Sequence, residues 1–198
     1  MYLDRPHLRF DGVYVSRNTY IRTGIPEWKV KNPVHIVCYY RYIRFLTNGK
    51  ILYRTSPQTL AKVAKSLQSP SRNEMQGKGD TKLFVGRYRI KDNIVLTAVK
   101  YPNSTSTEVR SRLHLRSTVR GAFNRLDIQS IVSYDQEDGR MVPMIAPSDS
   151  LDEDPIDDNL ARREYRRGTE PYVFVPWENC AASILNLPVS EMDVFIAG

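Results

Sequence analysis

Basic side chains recur at every second position between Val109 and Ser117, in the sequence VRSRLHLRS. Successive side chains of a β-strand point to opposite faces, so this pattern predicts a half-exposed strand. The apolar face would hold Val109, Leu113 and Leu115, and the cationic face Arg110, Arg112, His114 and Arg116, with Arg120 and Arg125 beyond it. Such a face can bind nucleic acid or a phosphorylated peptide, or it can simply be solvated. The sequence leaves both interpretations open.

Residues for catalysis or metal binding are not grouped at useful spacings. The three histidines, His7, His35 and His114, are far apart, and no Cys or Asp/Glu pattern of the metal-site type accompanies them. No G-x-S-x-G, P-loop or dinucleotide-binding motif occurs. We therefore expect a non-catalytic chain that needs no cofactor or metal.

The segment Ser150-Leu151-Asp152-Glu153-Asp154 places acidic residues directly after a serine. This order suits an acidophilic kinase of the casein kinase type. Phosphorylation of Ser150 would add about two negative charges, which could pair with an arginine cluster. An unmodified linker is the alternative interpretation.

Charge is divided unevenly along the 198 residues, whose net charge is +7. Residues 1–134 contain 24 Lys and Arg against 8 Asp and Glu, a net charge of +16, whereas residues 135–198 contain 5 against 14, a net charge of −9. A basic body suggests an anionic partner, although the acidic segment could shield it instead.

Secondary structure must position these side chains, and the sequence predicts it most clearly in the stretch from Val34 to Thr55. Two runs rich in β-branched and aromatic residues flank Asn48-Gly49, a pair that permits the positive φ angles of a two-residue hairpin turn. Arg44 lies within the first run and must reach solvent, a carboxylate or a ligand, because burying an unpaired guanidinium is costly.

Further strands and one helix are predicted on either side of this hairpin. Leu60, Val63, Ala64 and Leu67 follow the helical spacing i, i+3, i+4, i+7, with Ser56 as a candidate N-cap and Pro57 at the first helical position. About eight strands with mostly consecutive connections favour a mainly β fold: an antiparallel barrel or a strongly curved sheet with one or two short helices. We expect one domain over residues 1–198, with a disordered acidic loop over residues 135–170.

The two cysteines, Cys38 and Cys180, are predicted to be thiols, since Cys38 lies in a hydrophobic strand. This indicates a reducing, intracellular setting, and we expect a cytoplasmic location with the nucleus as a second compartment. No apolar run approaches the roughly 20 residues of a membrane span.

Several blocks of the chain resemble a known family. The blocks are Arg5-Pro6, Leu8 to Ser16, Thr19 to Arg22, Tyr39 to Phe45, Gly49 and Gly86-Arg87-Tyr88. They resemble the C-terminal domain of the F-box only protein 9 family. Asn32 to Cys38, Pro171 to Pro176 and Leu185 to Pro188 are most similar to its plant branch, the F-box protein 7 type.

The resemblance implies a lipocalin-like β-barrel and a subunit of a Skp–cullin–F-box ubiquitin ligase. In such proteins the F-box binds the Skp adaptor, and the domain beyond it is thought to present the substrate. Only five residues precede Pro6. We therefore expect that this chain lacks an F-box and would reach Skp and cullin only through one elsewhere.

Our first hypothesis is a substrate-receptor domain that binds a protein. Tyrosine and arginine are common at interface hot spots, and the candidate contacts are Tyr40, Tyr42, Arg44, Arg87, Arg110, Arg112 and Arg116. Two alternatives are a barrel that encloses a small apolar ligand and a basic nucleic-acid-binding module. The acidic segment argues against nucleic acid, and no membrane partner is expected.

Overall fold

The computed structural model describes residues 5–23, 34–75, 83–100, 106–145 and 169–192. Nine strands run through these residues: β1 Gly12–Thr23, β2 Val34–Phe45, β3 Lys50–Ser56, β4 Phe84–Lys91, β5 Ile94–Lys100, β6 Thr107–Arg116, β7 Arg125–Asp135, β8 Met141–Ile145 and β9 Tyr172–Pro176. The helices are α1 Leu60–Gln68, α2 Arg72–Met75 and α3 Val189–Met192, with 3-10 turns at Trp177–Asn179 and Ile184–Asn186.

The strands form one sheet in the order β6-β5-β4-β3-β2-β1-β9-β7-β8, and β6 also pairs with β7. This second pairing closes β1 to β7 and β9 into an eight-stranded barrel, while β8 extends the sheet along β7. Every pairing is antiparallel. The predicted antiparallel barrel of about eight strands is confirmed, and the likeness to lipocalins stays a prediction.

The hairpin of β2 and β3 forms where the sequence predicts it, with Phe45 opposite Ile51. Its loop is longer than the expected two residues, because Leu46 N–H donates to the Lys50 carbonyl at 2.9 Å and Gly49 alone has a positive φ, of 79°. A turn followed by a left-handed glycine is the usual three-residue hairpin loop. The Asn48 side chain accepts a bond from Lys50 N–H instead of adopting positive φ itself.

Large side chains fill the barrel interior. The fully buried members of this cluster include Tyr14, Ile43, Phe45, Ile51, Leu113, Leu115, Leu126 and Tyr172. Gly86 lies where β4 approaches β5 so closely that a Cβ atom would meet the Ala98 carbonyl oxygen at 2.2 Å. The alternation predicted for β6 is confirmed, since Leu113 and Leu115 point inward while Arg112 and Arg116 are exposed.

A second apolar cluster lies outside the barrel, between α1 and the sheet. Leu60, Val63, Ala64 and Leu67 of the helix are buried, as their spacing predicts. Their neighbours in this cluster include Val13, Val15, Tyr40, Tyr42 and Leu52. The predicted start of the helix is wrong: Thr59 is the N-cap, and the Ser56 hydroxyl accepts a bond from Gln58 N–H in the preceding turn.

Strand β8 falls inside the segment 135–170 that the sequence predicts to be a disordered loop. Over Met141–Ile145 that prediction is wrong, because the chain pairs there with Ile131 to Tyr134 of β7. The pairing compensates for weak periodicity and for Pro143, a residue tolerated in edge strands. The acidic stretch that includes Ser150 lies outside the described residues.

Both cysteines are free thiols, Cys180 buried and Cys38 half-buried. Among the described residues, no helix has the length and apolar character needed to cross a membrane.

Tyr14 connects β1 to the turn between β6 and β7. Its hydroxyl donates to the Phe123 carbonyl at 2.8 Å and accepts a bond from Arg9 N–H at 3.2 Å. Its ring lies edge-on to Phe45 and Phe174. Burial raises the pKa of Tyr14 to about 12, against an ordinary value of 10.0.

We expect Tyr14→Phe to flatten the alkaline loss of stability. A tyrosine whose folded pKa lies above its unfolded value stabilises the protein fully below pH 10, and this contribution is lost as pH rises from 10 towards 12. Between pH 9 and 11 the variant should lose about 1 kcal/mol less unfolding free energy than the wild type. Urea unfolding at the two pH values measures this. Equal losses in both proteins would contradict the assigned shift.

Candidate partner-binding groove

The outer face of β4, β5 and β6 carries arginines in two rows that the strand register fixes. In the first row Arg87 pairs with Ala98, and Ala98 pairs with Arg110. In the second row Arg89 pairs with Leu96, and Leu96 pairs with Arg112. Four guanidinium groups therefore surround two apolar residues. We call Arg87, Arg89, Arg110 and Arg112 the arginine frame.

The frame borders an open groove of about 780 Å³. The apolar side chains that line it are Leu96, Ala98, Val132 and Met141, of which Leu96 is 44% and Met141 57% exposed. The lining contains one acidic residue, Glu108, and four arginines. The remaining lining residues are Tyr88, Thr97, Ser111 and Ser130. The groove thus combines an apolar floor with a cationic rim.

Two arginines of the frame are held in place by neighbours. Arg110 lies over the Tyr134 ring, 3.6 Å from its centroid, and forms an ion pair with Glu108 at 3.2 Å. Arg112 donates to the side-chain oxygen of Gln129 at 2.8 Å. These contacts reduce the side-chain entropy that each guanidinium would lose on meeting a ligand.

A register shift explains the position of Gln129. Arg112 pairs with Ser130 while Leu113 pairs with Ile128, so β7 has one extra residue at this point. A β-bulge of this kind redirects a side chain, and bulges are frequent beside functional sites. Here the redirected side chain holds Arg112 at the groove.

Arg87 and Arg89 are exposed and have no hydrogen-bond or ion-pair partner among the described residues. A carboxylate or phosphate reaching the groove would therefore meet two guanidinium groups that no acceptor of the described residues occupies. Arginine is well suited to such anions because its planar group forms paired, charge-assisted hydrogen bonds.

Three of the residues predicted to bind a partner lie elsewhere, beneath α1 and the C-terminal turns. Tyr40 is 2% and Tyr42 0% exposed. Their hydroxyls donate to the carbonyls of Leu185, at 2.9 Å, and Gln58, at 2.7 Å. Burial raises the pKa of both phenols.

Arg44, the third of these residues, binds the end of α1. Its guanidinium donates to the carbonyls of Leu67 and Gln68, the latter at 2.9 Å, and lies over the Trp177 ring. These carbonyls lack helical partners at a helix C-terminus. Desolvation lowers the pKa of Arg44. The contacts give Tyr40, Tyr42 and Arg44 structural roles, and their partner-binding role stays a prediction.

Arg116 lies at the end of β6, outside the groove lining, and forms an ion pair with Asp127 at 3.1 Å. The structure therefore brings together Arg87, Arg110 and Arg112 from the predicted set and leaves Arg116 apart. Sequence reasoning missed Arg89 and Leu96. The alternation Arg87-Tyr88-Arg89 in the sequence could have revealed the arginine, since both positions share one face of a strand.

Among the described residues, no group of His, Cys, Asp and Glu is arranged to hold a metal ion.

The profile of the F-box only protein C-terminal region family matches residues 1–198. The chain belongs to this family. The family resemblance drawn from the sequence blocks is thereby confirmed. No solved structure matches the chain.

Two relatives are similar over part of their length. The F-box protein HRT3 of Saccharomyces cerevisiae is 38% identical over 68 residues, 33% of this chain and 20% of HRT3. The F-box protein pof7 of Schizosaccharomyces pombe is 39% identical over 57 residues, 28% of this chain and 16% of pof7. The matches therefore span a fifth or less of these relatives.

We expect Arg44→Gln and Arg87→Gln to differ in stability although both remove one guanidinium. Arg44→Gln should lower the unfolding free energy by about 1–3 kcal/mol, because it removes the charged hydrogen bonds to the carbonyls of Leu67 and Gln68. Arg87→Gln should change it by less than about 0.5 kcal/mol, as for other exposed positions. Urea unfolding of the two variants and the wild type measures this, and equal effects would contradict the assignment of Arg44 as a structural residue.

Proposed function

We propose that this chain is the non-catalytic substrate-receptor domain of an F-box subunit in a Skp–cullin–F-box ubiquitin ligase. Its family and the two F-box relatives support the general assignment to F-box proteins. The observation that carries the binding role is the groove, in which the arginine frame surrounds exposed apolar side chains.

The groove has the composition of a protein interface. An apolar centre with a polar rim is typical of such interfaces, and arginine is enriched among the residues that dominate binding energy. The groove is also formed by paired strands of the barrel, which hold the side chains at fixed spacing. A rigid sheet face of this kind limits the ordering cost of association.

Under this proposal the domain holds the substrate, and an F-box elsewhere in the protein binds the Skp adaptor and, through it, the cullin. The domain positions the substrate and catalyses no reaction itself, since other subunits carry out ubiquitin transfer. The complex would act in the cytoplasm, with the nucleus as a second site.

The two alternative functions have weaker support. A carrier of apolar ligands needs an internal cavity, whereas Tyr14, Phe45, Leu113 and Tyr172 fill the described interior. A nucleic-acid site without sequence preference usually offers exposed aromatic rings for stacking. The aromatic residue of the groove lining, Tyr88, is instead half-buried and packs against the barrel core.

The proposal is tested in cells with three tagged forms: residues 1–198, the same residues extended through whatever the transcript encodes upstream, and that upstream part alone. The extended form should recover the Skp adaptor and cullin, and it should share further partners with residues 1–198. Those partners should be ubiquitylated by the purified extended complex and not by one built on the upstream part alone.

Two results would overturn the proposal. One is an extended form that recovers neither ligase component. The other is ubiquitylation of the same partners whether or not residues 1–198 are present, because the domain would then play no part in substrate choice.

A further inference from the structure

We propose that the arginine frame binds an acidic peptide segment in which an aliphatic residue lies between carboxylates. The inference rests on the proposed function, since the peptide would belong to the substrate protein, and it specifies what the groove recognises. It follows from the placement of charge, of apolar surface and of unpaired donors on one face of the sheet.

The frame has dimensions that suit a peptide. Residues two apart on one strand are about 7 Å apart, and strands β4 and β6, two spacings apart, are separated by about 10 Å. Arg87 and Arg89 form one side of this rectangle, and Arg110 and Arg112 form the other. Carboxylates at positions i and i+4 of an extended peptide are about 13 Å apart, close to the diagonal of this rectangle, about 12 Å, and the side chain at i+2 points to the same face between them.

Leu96 and Ala98 of β5 occupy the middle of the rectangle. A peptide that placed only acids over the frame would leave this apolar centre exposed to water. An aliphatic side chain between the acids would bury it, together with Val132 and Met141 on the side of the groove nearer β8. Each buried methylene adds to affinity, so the two requirements act together.

The arginines have different roles in this arrangement. Arg110 and Arg112 are already oriented by Tyr134, Glu108 and Gln129. Arg87 and Arg89 have no partner among the described residues, and they gain charge-assisted bonds when a carboxylate arrives. The loss of these two side chains should therefore affect binding more than it affects folding.

The groove reaches from β4 to β8, which are five neighbouring strands and four inter-strand spacings. This distance is about 19 Å, and an extended chain of about six residues covers it. A short linear segment is thus sufficient to occupy the whole groove. The apolar floor and Glu108 favour such a peptide over a nucleic acid, whose backbone presents a phosphate at every nucleotide.

The first experiment selects phage-displayed random peptides of about ten residues on the purified chain. The enriched peptides should contain Asp or Glu two residues before and two residues after Leu, Ile, Val or Met. The same selection on Arg87→Gln/Arg89→Gln should not enrich them. The matched control is Lys62→Gln/Lys65→Gln, which removes the same charge from exposed positions of α1, and it should enrich the same peptides as the wild type.

The second experiment measures the affinity of the best peptide by fluorescence anisotropy. We expect Arg87→Gln/Arg89→Gln, the replacement of the acids by Asn and Gln, or that of the aliphatic residue by Ser each to weaken binding about tenfold or more. Exchanging the charges of protein and peptide distinguishes lost recognition from a misfolded variant. Arg87→Glu/Arg89→Glu should lose the acidic peptide and bind its lysine-substituted counterpart, which the wild type rejects.

Several outcomes would overturn the inference: no enriched peptide, enriched peptides without acids, equal binding by the arginine and lysine variants, or tighter binding of a short single-stranded DNA at the same salt concentration. Its failure is separate from that of the proposed function. If the ligase assembles and ubiquitylates partners but the domain binds no acidic peptide, the proposed peptide recognition is refuted. If the domain binds the peptide but no ligase assembles, the receptor role is refuted.

Discussion

The buried hydrogen bond between the Tyr14 hydroxyl and the Phe123 carbonyl supports the closed end of the barrel. Phe123 has a φ of 41°, a left-handed conformation that costs a non-glycine residue free energy. The bond from Tyr14 and a second bond, from Phe123 N–H to the Ser117 hydroxyl, hold it there. The ring of Phe123 can then pack in the core with Leu8 and Phe174. The turn between β6 and β7 is thus fixed, and with it the register of the strand that carries Arg110 and Arg112.

Burial gives Arg44 a different role from that of Arg87 and Arg89. Arg44 satisfies helix carbonyls under α1, where a guanidinium stabilises the fold. Arg87 and Arg89 project from a part of the same sheet that no described helix covers, where they add little to stability and remain available to an anion. The residue type is identical in both cases. What differs is whether a helix covers that side of the barrel.

The sequence predicted the parts of the fold that depend on local patterns. The Asn-Gly hairpin, the buried face of α1 and the alternating strand β6 all follow from short-range spacing, and all three are present. Strand β8 was missed because its pairing with β7 stabilises a segment with little periodicity of its own. The groove was found only in part, since strand register decides that Arg89, Leu96 and Arg112 are neighbours. Tyr40 and Arg44 show a different case, in which residue type suggested binding and tertiary packing reveals a structural role that the sequence did not predict.

The position of β9 in the chain has a consequence for biosynthesis. This strand lies between β1 and β7 and closes the barrel, yet it follows the other eight described strands in sequence. A nascent chain that has emerged as far as β8 has two sheet edges that β9 would otherwise cover. Open edges of that kind recruit other chains and lead to aggregation. The exposure of these two edges therefore lasts until Tyr172–Pro176 has left the ribosome and can pair with β1 and β7.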